Sequence, residues 1–454
     1  MTTVRHFARA AAMPRARIAA LGLIALAAGL TACDLNVAQP DVASAASTNL
    51  PAARVTLLNG AISLFSAGYA GNGDSSGVAS LGGLLADEFA NSDYQDRHID
   101  VDQRNAPETS TAVAGAFVSL QRARVASIDV AARYAAAEPN SIHGAEAEMT
   151  AGYSFLTFAE NWCNGVPYSS YNGSSTVYGT PTTSVQSYDS AVTHFDKAIV
   201  IALRTDTSDA DNRDALFTAM VGKGRALLGL GQYTAAATAV AGVTDPDFQY
   251  FLYSSSSSTK QYNGVYSWNN SYGRFTAADN EAGSGLNFLS ANDPRVKYQD
   301  AGKFGLDSRT ELIYQMKYPN YDSPLVLASY TEAELIRAEA ELSVNNGNWL
   351  TRLNDLRATV GLGTLADPGT AKGRVALLFR ERAFWLWLTG HRAADLRREL
   401  RQYGTLFTEA ELYPTGVYPK GGTYGTDVTF KIPFDERNNP NYTGKTNTCT
   451  DFAP

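Results

Sequence analysis

Apolar positions recur at helical spacing over most of this chain, and the period predicts helices over about 54–69, 112–137, 145–161, 215–240, 330–342 and 349–360. Glycine breaks the pattern at 71–77 and again at Gly361. A further helix is expected over about 374–388, built from good helix formers and closed by Gly390. Its large apolar residues, Leu377, Leu378, Phe379, Phe384, Trp385, Trp387 and Leu388, cover nearly the whole circumference, the mark of a buried helix. Arg380, Glu381 and Arg382 interrupt that surface, and an unpaired ion in an interior costs several kcal/mol. Acids are therefore expected nearby. The helix at 330–342 carries Glu332, Glu334, Glu339 and Glu341 around Arg337, as partners for Arg380 and Arg382.

The segment 248–275 has a different character. Nine of its 28 residues are aromatic, against 11% for the chain, and they stand among serines, asparagines and glycines. Flat rings stack on the apolar face of a sugar while amides and hydroxyls supply hydrogen bonds, so this is the first place to look for a ligand surface. Tyr266, Trp268 and Tyr272 are its candidates. Alternation in Val265-Tyr266-Ser267-Trp268 also fits a strand whose rings face a core, and only exposed members would bind.

The N-terminus has the build of a lipoprotein signal peptide. Arg5, Arg9, Arg15 and Arg17 precede an apolar run over 18–30, too short to read as a spanning helix, which ends in Leu30-Thr31-Ala32-Cys33. Residues 1–32 would be removed, Cys33 would carry the lipid, and the small, polar stretch 33–51 would be a tether. The alternative is an ordinary cleavage site that happens to contain a cysteine. Cleavage takes away four arginines and no acids, so 37 basic residues fall to 33 against 45 acidic, a net of −12. That sign disfavours binding to a nucleic-acid backbone. Cys163 and Cys449 are then an even pair in an oxidising compartment, and a bond between them would add roughly 4–5 kcal/mol on the chain-entropy model. Two buried free thiols are the other reading.

Residues 188–198 have the small-large spacing of the second helix of a tetratricopeptide repeat, and Lys223 through Tyr233 with Ala236 fit a first helix, turn and second helix. Stacked pairs of this kind make a scaffold and by themselves name no ligand. A more specific resemblance lies downstream. Arg380-Glu381-Arg382, then Gly390-His391-Arg392 and Asp395-Leu396-Arg397-Arg398, is similar to a signature of the SusD/RagB family of outer-membrane nutrient-binding lipoproteins, except that Ala393 and Ala394 stand where the family usually has an aromatic pair. Further matches follow in family order: Asp87-Glu88-Phe89, Gly165-Val166-Pro167-Tyr168, Asn292-Asp293-Pro294-Arg295, Asn354 with Leu356 and Arg357, and Phe430-Lys431-Ile432-Pro433 with Glu436 and Asn439-Pro440.

The resemblance implies a mostly α fold, a tetratricopeptide-repeat scaffold packed against an irregular, loop-rich region with short strands. It places a SusD-like domain over 52–454, with helical repeats at about 112–243 and 325–400 and a loop-rich insert at about 244–324. In that family the polar loop after the Asp87–Phe89 element borders the ligand site, which makes Asn91 and Tyr94 candidates; a capping asparagine and a packed tyrosine are the alternative. It also implies a cell-surface lipoprotein in the outer membrane that binds a glycan or other oligomeric nutrient and passes it to a SusC-like TonB-dependent transporter, with no catalytic step; the sequence names no cofactor or metal ligand and leaves open whether a metal shapes the site.

Two rivals are a repeat scaffold that binds only protein and a secreted glycoside hydrolase. Gly73-Asp74-Ser75-Ser76-Gly77 satisfies the G-x-S-x-G pattern of a serine hydrolase, but a helix rather than a strand precedes it, and the one upstream histidine, His6, leaves with the signal peptide. The glutamates of 330–342 could serve a glycosidase, although acids beside arginines are more often ion pairs. Asp206, Asp209, Asp211 and Asp214 lack the loop glycine and terminal glutamate of an EF-hand, so a helix-capping loop is expected there.

Overall fold

Small residues at helix crossings set up the first half of the fold. In the computed structural model, which describes residues 50–442, helices α1 (Pro51–Tyr69), α2 (Val78–Leu85), α3 (Asp96–Asp102), α4 (Thr111–Ala137), α5 (Ile142–Asn161), α6 (Ser184–Ala202), α7 (Ala210–Gly229) and α8 (Tyr233–Ala239) follow one another. α4 to α8 pack in sequence, each on the next, and α1 lies against α4 and α5. A Cβ on Gly222 would come within 2.4 Å of the Phe195 ring, so only glycine lets α6 and α7 approach this closely. Caps fix the starts: Thr183 and Gln186 form a capping box before α6, and Asp209 Oδ1 accepts the amides of Asp211 and Asn212 at α7. The acids of 206–214 are thus a capping loop.

The second half is irregular. Strands β1 (Phe89–Asn91), β2 (Gln249–Leu252), β3 (Phe275–Ala277), β4 (Tyr298–Phe304), β5 (Glu311–Gln315) and β6 (Leu325–Ser329) form three antiparallel pairs, β1 with β3, β2 with β6 and β4 with β5. β6 opens the stretch expected to be a helical repeat from 325, and its pairing with β2 ties it to the loop-rich part. Helices α9 (Tyr330–Ser343), α10 (Asn348–Thr359), α11 (Ala371–Trp385) and α12 (Arg392–Gln402) complete the scaffold. Among the described residues, no helix is long and apolar enough to cross a membrane.

α11 ends three residues earlier than its sequence suggests. Leu388 and Gly390 both take left-handed backbone, φ 55° and 85°, and the buried turn between α11 and α12 is held from outside. Lys317 Nζ donates to the Trp387 carbonyl at 2.6 Å, Tyr318 Oη to Leu388 at 3.2 Å, and Tyr69 Oη to Thr389 at 2.9 Å, while Glu88 accepts the Leu388 amide at 2.7 Å. Side chains from distant segments thereby satisfy the polar groups that the helix end leaves open.

The expected ion pairing holds in part. Arg382 makes a bidentate pair with Asp395 at 2.9 Å and approaches Glu339 at 3.9 Å. Arg380 finds no partner on α9; it is half-exposed, lies over the Phe384 ring at 4.3 Å and reaches Asn287, so water replaces the expected acid. Glu381, the buried charge between them, is held by Arg295 at 2.6 Å and Arg357 at 2.8 Å. The α9 acids are all engaged: Glu332 with His391, Glu334 and Glu341 with Arg352, Glu339 with Arg398. Structural ion pairs therefore account for them without a glycosidase pair.

Cys163, at the end of α5, is buried and disulfide-bonded, and the backbone beside it pairs with Phe430, whose amide donates to Asn161 at 2.8 Å. The signal peptide, the tether, Cys33 and Cys449 lie outside the described residues.

Candidate functional site

The β1–β3 pairing brings together the two stretches singled out as ligand candidates. Asn91 lies opposite Phe275, so the polar loop after β1 runs beside the segment ending at Arg274. Ser92 locks the junction: its amide donates to Arg274 O at 2.8 Å, its hydroxyl to Gly273 O at 3.0 Å, and its carbonyl accepts from Asp307. The aromatic stretch here is a helical turn, Gly264–Tyr266 continuing through Ser267–Ser271, instead of the strand its alternation allows. Asn263 is the reason, since its side chain accepts the Tyr266 amide at 2.8 Å and starts the turn.

The result is a shallow cleft of about 380 Å³ lined by Gly73, Asp74, Arg97, Trp268, Tyr272, Arg274 and Leu306. Beside it the Tyr262 and Tyr321 rings lie 4.0 Å apart, Tyr266 meets Tyr321 edge-on at 4.8 Å, and Ser271 hydrogen-bonds the Tyr321 hydroxyl at 2.6 Å. Tyr272 donates to Gly73 O at 3.1 Å. Half-buried rings with one wet edge suit stacking on a sugar.

The sequence candidates divide by burial. Tyr94 is 63% exposed on the loop, and Tyr266 and Tyr272 are half-buried. Trp268 is only 3% exposed: it stacks on Phe275 at 5.8 Å, meets His98 and Tyr272 edge-on, donates through Nε1 to Asn72 O at 2.9 Å, and carries Arg97 and Arg274 over its ring at 5.6 and 5.7 Å. Its faces are occupied, so it supports the cleft from below. Asn91, 2% exposed, likewise faces inward, its Oδ1 accepting from Lys420 Nζ at 2.7 Å and from the Asp93 amide. Lys420 also reaches Asp93 O and Asp307 Oδ2, both at 2.6 Å. Burial works against the Asp307 charge, but Lys420, the Thr310 hydroxyl and two amides more than offset it and hold the carboxyl down at about 2. Arg97, Arg274, Tyr321 and Lys420 were not singled out from the sequence; the spacing of Arg97 from Trp268 gives no sign that they meet.

The hydrolase motif has an unexpected neighbour. Ser76 Oγ lies 3.3 Å from His98 Nε2, and Asp93 Oδ2 lies 3.6 Å from His98 Nδ1, so the histidine sought upstream is downstream. Nothing makes this trio a nucleophile. All three side chains are buried, with His98 edge-on to Trp268 and Phe275, the Asp93 oxygen is engaged by Arg274 at 2.5 Å, and burial pushes the His98 pKa down. Ser75, at the nucleophile position of the motif, follows a turn from α1 with no strand before it.

A larger groove, about 710 Å³, lies on the other side of Tyr262, between α1, the starts of α5 and α7, and β2. Tyr250, Phe251 and the 80%-exposed Tyr253 line one part of it, and Glu146, Asp209, Asp211 and Asp214 another. The aromatic segment therefore serves two concavities.

No protein-family model matches the chain, and no curated protein matches it. Solved structures do. A SusD-like carbohydrate binding protein from Bacteroides vulgatus superposes with a TM-score of 0.63 at 13% identity, over 86% of this chain and 96% of that one. A SusD-like carbohydrate binding protein from Bacteroides fragilis gives 0.63 at 14%, over 87% and 99%. Surface glycan-binding protein A from Bacteroides uniformis gives 0.60 at 14%, over 86% and 98%. The fold of this chain is SusD-like: mostly helical, with repeat pairs and a loop-rich region.

Proposed function

We propose that this chain is a SusD/RagB-type surface protein that captures an oligosaccharide in the cleft between the 91–97 loop and the 266–274 turn, and passes it to a TonB-dependent outer-membrane transporter. One observation carries the reading. The loop that the family resemblance associates with ligand and the segment that composition alone marked as a sugar surface, about 175 residues apart, are set side by side by the β1–β3 pair, and Arg97 just after that loop lines one cleft with Trp268, Tyr272 and Arg274. The SusD-like fold supports it, and so do the carbohydrate-binding names of structures that share this fold. Lipidation at Cys33 would place the protein on the membrane, anchored rather than spanning.

The chemistry is binding without bond breaking. Tyr272 offers a ring in the cleft lining, with Tyr266 beside it and Tyr94 exposed on the neighbouring loop, Arg97 and Asp74 offer polar contacts, and Trp268, Asn91 and Lys420 hold the loop in place. The test is calorimetric titration of the full-length chain in detergent against oligosaccharide and peptide panels, with chromatography of the same mixtures. Saturable binding without new products supports capture. Cleavage products would overturn it in favour of a hydrolase, and a folded protein silent to the whole panel would favour a scaffold that binds only protein.

A further inference from the structure

Among the described residues, several buried arginines are held by acids. Arg392 has Asp87, Arg225 has Glu160, Arg398 has Glu339, and in the cleft Arg274 has Asp93. Arg97 is different: among the described residues it has no hydrogen-bonding or ion-pairing partner, and its Nε is buried without one. Its guanidinium lies over the Trp268 ring at 5.6 Å in the cleft lining. The cation–π contact positions that fork without satisfying its donors. Burial first and then the neighbouring Arg274 press its pKa down, Asp93 beside them offsets this only in part, and a bound anion would relieve the rest. Asp74, the acid in the same lining, is exposed, so its charge stays solvated and opposes an anion only weakly.

We infer that the cleft selects oligosaccharides bearing an anionic substituent, a uronate carboxylate or a sulfate ester, and that Arg97 is the residue that meets it. This rests on the oligosaccharide-binding reading above. A guanidinium presents paired N–H groups that match the two oxygens of such an anion, which a neutral hydroxyl does not. The larger groove is the more acidic, with Glu146, Asp209, Asp211 and Asp214 against Lys260 and His143 in its lining, so it suits the same ligand less well.

The test uses the full-length chain in detergent and matched probes: short oligogalacturonates against their methyl esters, and sulfated galactan oligomers against their desulfated forms. At least one acidic probe is expected to bind about tenfold or more tighter than its neutral form, as a charge-assisted hydrogen bond allows; which one wins distinguishes carboxylate from sulfate. Arg97→Gln is expected to erase the difference by weakening the acidic probe to the level of its neutral form, Arg97→Lys to restore part of it, and Asp211→Asn in the groove to change nothing. Unchanged thermal unfolding of the variants keeps the comparison valid, and if Arg97→Gln does not fold, Arg97→Lys carries the test. Neutral probes binding as tightly as acidic ones, or an acid preference that survives Arg97→Gln, would overturn the inference and leave oligosaccharide capture standing. A folded protein that binds no probe, acidic or neutral, would count against capture itself and take the inference with it.

Discussion

Trp268 is the residue on which a sugar-platform reading and a buried-support reading part most clearly. A tryptophan among asparagines and serines suggests an exposed stacking surface, yet the ring is 3% exposed and packed on Phe275, His98 and Tyr272. Replacing a buried tryptophan with alanine removes its transfer energy and leaves a cavity, together about 3–5 kcal/mol. Loss of the Nε1 bond strands the Asn72 carbonyl and adds roughly 1 kcal/mol. Trp268→Ala should therefore lower the unfolding free energy by about 5 kcal/mol. Trp268→Phe keeps a ring against Phe275 and should lose roughly half as much. Urea unfolding followed by circular dichroism measures both. Ligand affinity should fall along with stability, because Arg97 and Arg274 lose the surface they rest on. If Trp268→Ala unfolded at the parental urea concentration yet lost all binding, the ring would have to face the ligand, and the placement argued above would be wrong.

Tyr94→Ala should do the reverse, changing unfolding by no more than about 0.5 kcal/mol because the side chain is 63% exposed, while weakening oligosaccharide binding measured by calorimetry. Asp87 and Arg392 form a buried bidentate pair at 2.6 and 2.8 Å, so Asp87→Ala and Arg392→Met should each cost about 3–5 kcal/mol and the double variant much less than the sum; strict additivity in the cycle would refute the pairing. Burial raises the Glu88 pKa from 4.5 to about 8, so the folded state holds that proton more tightly than the unfolded chain. Its stabilising contribution is complete below about pH 4.5 and is lost as pH rises towards about 8, and Glu88→Gln, which keeps the acceptor for the Leu388 amide, should flatten the stability profile in that window. Lys317, lowered by burial to about 8 in the parent and held up by Glu88, titrates above that window there.

Local signals in the chain carried the helical half of the fold. The periods of α4, α5 and α7 come from residues that touch their sequence neighbours, and the small positions that admit the Phe195 ring are visible as a spacing. Long-range partners were not legible. α11 stops at Trp385 because Lys317, Tyr318, Tyr69 and Glu88 hold the turn after it, four groups that lie far from it in the chain. Arg380 lacks the partner expected on α9 because it stays half in water, a fact of exposure that no charge pattern records. At the cleft, composition found the aromatic segment and the family motif found the loop, but which rings are buried depended on a turn that Asn263 starts and on the β1–β3 register. Arg97 shows the same limit: that it stands unpaired can be read only once every neighbouring acid has been placed.

The central claim is a location, and hydrogen exchange tests it most directly. The full-length chain in detergent is compared with and without a saturating oligosaccharide drawn from the calorimetric panel. Slowed exchange confined to the amides of 91–97, 266–274 and 305–310 is the result the cleft predicts. Protection centred instead on 209–214 and 249–255 would move the site to the larger groove and contradict the account.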